Sequence, residues 1–299
     1  MTLPDGRPER PSQSPLFHAQ HAARYERQAL ISEYEERNHC RLVVLIDALF
    51  EHSIPIFWDL IYDASRDEDL HVVLHSPGGD GETAVRLIRS MQSRSKEVTV
   101  IVPDQAKSAA TLLALGAHHI LMGPTSDLGP IDPQFDMGAG ESRNLVAAKD
   151  IIAAVDAATK AVQDAPSTYP VYAYLLGDVS AIQVQQARSA LERTEDLLVE
   201  ALKSNPDRGE NDVSGLRDAL KEPLIQNTKS HAAVFGIDDA KRAKLPVLDA
   251  NENNSQWQAI WRLYMKYVAL GPSLEAYEGS RVSHVKTWGA MMPDPGLQL

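Results

Sequence analysis

Residues 102 to 117 read VPDQAKSAATLLALGA: a strand-like end, a short polar turn, then a run of small and apolar residues with a single serine, Ser108, at its mouth. A hydroxyl there has two uses. It can cap the helix by accepting a bond from a first-turn amide that has no other partner. It can also attack a carbonyl, because the positive end of a helix favours a developing alkoxide and the next amide, that of Ala109, points the same way. Ala106, Ala109 and Ala110 are small, which predicts room for a substrate beside the hydroxyl.

A second stretch, HSPGGDGETAVRLIRSM at 75 to 91, carries a strand end, a turn through Pro77, Gly78 and Gly79, and a helix start. Paired glycines leave their amides uncrowded and permit positive φ, one way of presenting donors to a growing negative charge. A plain strand-to-helix turn is the alternative. A phosphate loop of the GxxxxGKS or GxxxxGKT kind is excluded, since no such Lys-Ser or Lys-Thr pair follows the glycines.

A nucleophilic serine needs a base. Lys149, in NLVAAKDII, stands at the edge of the apolar stripe of its own predicted helix. A lysine takes a proton only when burial or a nearby cation makes its neutral form available, and neighbouring Asp150 works the other way. Lys107 is the rival, but adjacent helical residues project about 100° apart, which makes a direct bond to Ser108 awkward. Ser126 and Asp127, in GPTSDLGP, are candidates for orienting the lysine or lining a pocket, with turn formation as the other reading. His75, His118 and His119 flank predicted strands and read as packed core histidines; His231 and His284 have no partner recognisable from spacing. No His or carboxylate pair has ligand spacing within one segment, so neither a metal nor a cofactor is expected.

These residues need elements to hold them. Four apolar segments, RLVVLID (41 to 47), LHVVLHS (70 to 76), EVTVIVP (97 to 103) and HHILMGP (118 to 124), alternate with helical stretches, the pattern of a parallel sheet covered on both faces. Residues 1 to 15, with four prolines, read as a disordered lead-in, and 21 to 38 as an amphipathic helix. After a glycine-containing loop, 144 to 165 reads as a helix with Leu145, Ile152, Val155 and Val162 on one stripe, and 180 to 204 as another. Residues 229 to 247 read as turn, helix and short strand. The segment 256 to 270 reads as a helix whose aromatic face packs on something large, and the final MMPDPGLQL as loose.

Composition limits the function classes. The 299 residues, 43% hydrophobic, suffice for a real core. A net charge of −12 argues against a nucleic-acid surface, which needs clustered Lys and Arg. The lone Cys40 cannot form an internal disulfide, and neither a signal peptide nor an integral membrane segment is evident, so a cytoplasmic protein is expected.

HSPGGDG followed by AKSAATLLALGAHHILMGPTSDLGPIDPQ resembles the ClpP-like clan of serine peptidases, and within it the serine dehydrogenase proteinase family, whose members also resemble signal peptide peptidase SppA. The likeness runs from about 41 to 134, with weaker echoes in GIDDAKRAKLPV and LEAYEGSRVSHV. It implies an α/β fold of the ClpP/crotonase type: a β/α spiral with a parallel sheet and additional C-terminal helices, in one domain over 16 to 299 with its core at 38 to 135. It implies Ser108 as nucleophile, the amides of Gly79 and Ala109 as oxyanion hole, and a homo-oligomer acting on a peptide or protein substrate. The wider clan often has Gly at the place of Ala110 and a small or apolar residue at that of Lys107. Where ClpP places its histidine this chain has IDPQF, so the resemblance to SppA-like relatives points to a lysine; Lys149, 41 residues after Ser108, matches the position used in an archaeal branch. The expectation is a serine peptidase with a Ser108–Lys149 dyad. The alternatives are a crotonase-like acyl-thioester enzyme and a catalytically silent scaffold. The helix around Trp257, Trp261 and Tyr264 is the expected assembly interface.

Overall fold

A computed structural model describes residues 14–138, 144–228, 230–250 and 254–287. Most of the proline-rich lead-in, the middle of the glycine-containing loop and the final nine residues lie outside them. The chain opens with α1 (Pro15–Asn38), six residues earlier than its amphipathic pattern suggests, because Ser14 caps it by accepting from Phe17 N at 3.1 Å. Then come β1 (Cys40–Ile46), α2 (Ser53–Ile61), β2 (Asp69–His75), α3 (Gly81–Gln92) and β3 (Val98–Val102). The site region holds β4 (Gln105–Ala106), α4 (Ala109–Leu115), β5 (His119–Met122) and β6 (Asp127–Leu128). A hairpin of β7 (Gln134–Asp136) and β8 (Leu145–Ala147) leads to α5 (Ala148–Asp164), α6 (Tyr169–Leu175), α7 (Ala181–Lys203) and α8 (Glu210–Lys221). The return comprises α9 (Ile237–Arg242), β9 (Val247–Asp249), α10 (Ser255–Val268), β10 (Leu274–Glu278) and β11 (Ser283–Thr287).

Seven strands form the main sheet in the order β11-β10-β1-β2-β3-β5-β9. From β1 to β9 the pairs are parallel; β10 and β11 add an antiparallel edge. The pleat divides the core. Val43, Leu45, Val72, Leu74, Val100 and Val102 face α2, α3, α4 and α7, while Leu42, Val44, Val73, Ile101 and Leu121 face α1 and α10. Alternate residues of each strand thus serve opposite layers, which is why the strands read as continuous apolar runs.

Three expectations change. Residues Leu145–Ala147 are strand, paired with β7, and the buried face of α5 is Ala148, Ile151 and Ala158, with Leu145 exposed. The aromatic face of α10 is covered within the chain: Trp257, Tyr264 and Tyr267 pack on the sheet, and Trp257 lies against Gly123, where a Cβ would meet its ring at 2.3 Å. That face is therefore occupied within the chain. Of the three expected core histidines, His119 is only half-buried, with 41% of its side chain accessible, and pairs with Glu97 at 3.4 Å. Cys40 is buried, and burial pushes its thiol up to about 12, as suits an inert core residue.

Beneath α1, the Tyr34 hydroxyl and His71 Nδ1 are 2.8 Å apart. Burial lowers His71 from 6.5 to about 4. As pH falls through that interval the unfolded chain takes up a proton that the folded imidazole refuses, so stability falls with pH, by at most about 3 kcal/mol between pH 6.5 and 4. Urea unfolding of wild type against His71→Asn, compared across that interval, checks this: the variant is expected to show a shallower slope, and equal slopes contradict it.

Candidate active site

Ser108 stands between β4 and α4, at the N-cap position, yet its side chain makes no capping bond. Its backbone is at φ 51°, ψ −119°, a conformation that costs a non-glycine residue about 1–3 kcal/mol. A strand–turn–helix with a strained serine at the turn is the arrangement by which a nucleophile is held proud of its sheet. Every residue of α4 is buried, including Ala109 and Ala110, and Ala106 before it is buried too. The small residues therefore let the helix pack closely and do not form a substrate space.

The glycine turn meets this serine directly. Gly78 has φ 110° and Gly79 φ 140°, both in the range that requires glycine. A Cβ on Gly78 would lie 2.6 Å from Ser108 Cβ, so the two turns are in contact. Leu49 clamps the second turn: its N–H donates to Gly78 O and its carbonyl accepts from Asp80 N, both at 2.7 Å. Ser76 Oγ accepts from Gly78 N at 3.1 Å, and Asp80 caps α3 by accepting from Thr83 N at 2.9 Å. With Gly78 N committed, Gly79 N is the free donor of the turn; among the described residues it has no acceptor, and neither has Ala109 N. Gly79 is exposed.

Around Ser108 the chain is cross-tied. Ser76 N donates to Gln105 O and Lys107 N to Ser76 O, each at 3.0 Å, joining the two turns. The Thr111 hydroxyl donates to Ala106 O at 2.7 Å and accepts from Gly129 N at 3.0 Å. Lys107 Nζ bonds the Asp127 carboxylate and reaches Ala233 O at 3.3 Å, so it is a tie between segments. Asp127 also accepts from Phe235 N at 2.9 Å. Ser126 is buried; it accepts from Gly123 N at 2.7 Å and donates to Val102 O, which commits it to its turn. Both side chains are thus engaged in bonds within the chain. Leu49 and Thr111 carry no signal in sequence, since each acts through a partner distant along the chain.

Lys149 lies in the first turn of α5, half-buried, and its Nζ donates to both the carbonyl and the hydroxyl of Thr228. Close along the same segments, Asp132 in IDPQ is buried and accepts from Gln134 Nε2 at 3.0 Å. His231 Nδ1 is 3.0 Å from its other oxygen. Facing a carboxylate, Nδ1 is the donor, which leaves Nε2 as the acceptor of the neutral ring. His231 thus has a partner that spacing could not reveal, 99 positions away. The segment carrying Thr228 and His231 continues to Ala233 and Phe235, which contact Lys107 and Leu128 beside the serine. Past Pro77 opens a cleft of about 680 Å³ lined by Asp47, His75, Gln105 and Tyr264.

Two uncharacterized proteins of Methanocaldococcus jannaschii are similar in part: MJ0137, 38% identical over 72 residues, 24% of this chain and 25% of that protein, and MJ1495, 29% identical over 119 residues, 35% and 41%. The chain thus spans between a quarter and about two fifths of the curated relatives it matches. Among solved structures, a peptidase from Plasmodium falciparum is similar at 13% identity and TM-score 0.37, over 75% of this chain and 99% of that one. A ClpP1 mutant from Listeria monocytogenes is similar at 14% identity and TM-score 0.35, over 71% and 93%. Residues 51–211, more than half of the chain, match a family profile described as ClpP-like SDH-type serine proteinase, and this chain belongs to that family.

Proposed function

We propose that the protein hydrolyses peptide bonds through Ser108, with the amides of Gly79 and Ala109 holding the oxyanion. The observation that carries this is the strained, uncapped hydroxyl set against the turn of exposed Gly79, whose amide has no acceptor among the described residues. A serine kept in such a conformation without serving its own helix fits attack better than capping.

Lys149 is the proposed base. Its Nζ donates to the carbonyl and the hydroxyl of Thr228; to act as the base the amine has to give up a proton, which frees a lone pair for the Ser108 hydroxyl. The serine oxygen attacks the carbonyl carbon, and the negative charge on the former carbonyl oxygen is met by the two amides. As the C–N bond breaks, the proton passes from Lys149 to the leaving amine. Water then attacks the acyl-enzyme, giving its proton to the lysine, and the serine is regenerated. A second reading has His231 Nε2 as the base, favoured by the buried Asp132 carboxylate behind its Nδ1. Endopeptidase action on a protein substrate in the cytoplasm and assembly into a homo-oligomer belong to the same proposal; with α10 turned inward, assembly has to use another face.

The labelling rate with a fluorophosphonate separates the bases. Lys149→Ala is expected to slow it by about 10²-fold or more, while His231→Ala stays within a few-fold of wild type. The reverse pattern selects the imidazole. Unchanged rates in both variants would remove base-assisted attack from the proposal.

A further inference from the structure

We infer that Asp47, His52 and Glu275 form a zinc site that fastens the segment clamping the glycine turn. The three come from separate places: Asp47 follows β1, His52 precedes α2, and Glu275 lies in β10. One ligand-capable atom from each lies within 4.8 Å of the other two. Glu275 lies far along the chain from Asp47 and His52, so sequence patterns pass over the set.

Register accounts for the two carboxylates. Ile46 pairs with Ala276 in the antiparallel ladder, so one step further sets Asp47 opposite Glu275. Like charges directly opposite on neighbouring strands repel, and a cation between them reverses the sign of that contact. Lys286 Nζ stands 3.6 Å from Glu275 Oε2, and Asp47 is the more buried of the two acids. His52 Nε2 is 3.4 Å from Asp47 Oδ2, longer than a well-formed N–H···O bond. It is instead the spacing of two ligands on tetrahedral zinc, where bonds of about 2.0–2.1 Å put donor atoms about 3.3–3.4 Å apart.

The supporting shell is also present. Asp47 Oδ1 accepts from Ala48 N and Oδ2 from the Tyr277 hydroxyl, both at 2.7 Å, which fixes the carboxylate plane. One imidazole nitrogen with two carboxylate oxygens suits zinc better than magnesium or calcium, which favour oxygen-only sets. Asp47 and Leu274, the neighbour of Glu275, line the cleft of about 680 Å³, which gives an ion a path in. Between Asp47 and His52 runs Leu49, whose backbone holds Gly78 and Asp80. A metal bound at both ends of that short segment and to β10 would stiffen the support of the Gly79 amide, whichever base serves Ser108.

The test uses the full chain stripped of metal with a chelator, then titrated with zinc chloride in competition with a chromophoric chelator near neutral pH. Wild type is expected to take up one equivalent and to melt at higher temperature with zinc than without. His52→Ala and Glu275→Gln are each expected to weaken zinc binding about tenfold or more, since even residues that only support a ligand cost that much. His52 is exposed, so its variant keeps the fold. Absence of saturable uptake, or a change smaller than tenfold in either variant, overturns the inference. Labelling of Ser108 is read separately, so a failed metal titration leaves the peptidase proposal standing.

Discussion

Ser108→Gly is expected to abolish hydrolysis and fluorophosphonate labelling while raising the stability of the protein. The two effects have one origin. At φ 51°, ψ −119° a side chain is strained by about 1–3 kcal/mol, and glycine relieves that strain. Glycine also adds about 0.5–1 kcal/mol of unfolded-state entropy, so the net gain is about 1 kcal/mol, or a rise in Tm of about 1–2 °C for a chain of 299 residues. Losing the nucleophile costs far more on the other axis, about 10⁴-fold or greater in turnover. Ser108→Ala should show the same loss of activity without the gain, because alanine keeps the Cβ that makes the conformation costly. Thermal melts beside labelling check the pair. A Ser108→Gly protein that melts lower than wild type would mean that the serine is there for the fold.

Gly79→Ala is expected to damage stability and activity together. An added Cβ would lie 2.2 Å from Leu49 O and 2.9 Å from both Leu49 C and Leu49 N, and these are backbone atoms that cannot rotate away. The φ of 140° is closed to alanine as well. Relief requires the Leu49 clamp or the turn to move, at a cost of about 2–4 kcal/mol. Movement of the turn displaces the oxyanion donor, and losing one such donor costs about 10²–10³ in kcat. Gly215→Ala in α8 is the control: nothing lies within 4 Å of the new methyl, and stability should rise by up to about 1 kcal/mol. Urea midpoints and peptide hydrolysis for the two variants decide it; a Gly79→Ala protein as active and stable as wild type would dismiss the turn as a catalytic part.

The parts of this arrangement that were legible in sequence are those made by neighbours along the chain. β1, β2, β3 and β5 announce themselves as apolar runs because both sheet faces are covered, and α7 is legible as a helical run. Ser108 and the Gly78–Gly79 turn each stand out locally, and their meeting is a consequence of parallel β2 and β3 ending side by side. What distance along the chain hides is the partnering. Thr228 lies 79 residues from Lys149 and His231 lies 99 from Asp132, so neither pair has a spacing to read. The same limit explains α10: its periodicity reports an apolar face, while only the fold reveals that the sheet, and not a second chain, covers it. Leu145–Ala147 continues smoothly into the alanine-rich α5, and only its pairing with Gln134–Asp136 makes it strand.

The central claim is that the Ser108 hydroxyl is the nucleophile, and mapping a fluorophosphonate adduct by mass spectrometry tests it most directly. One adduct per chain is expected, on Ser108, and it should vanish in Ser108→Ala with the protein still folded. An adduct on any other residue, or a folded wild type that takes no adduct at all, contradicts the account.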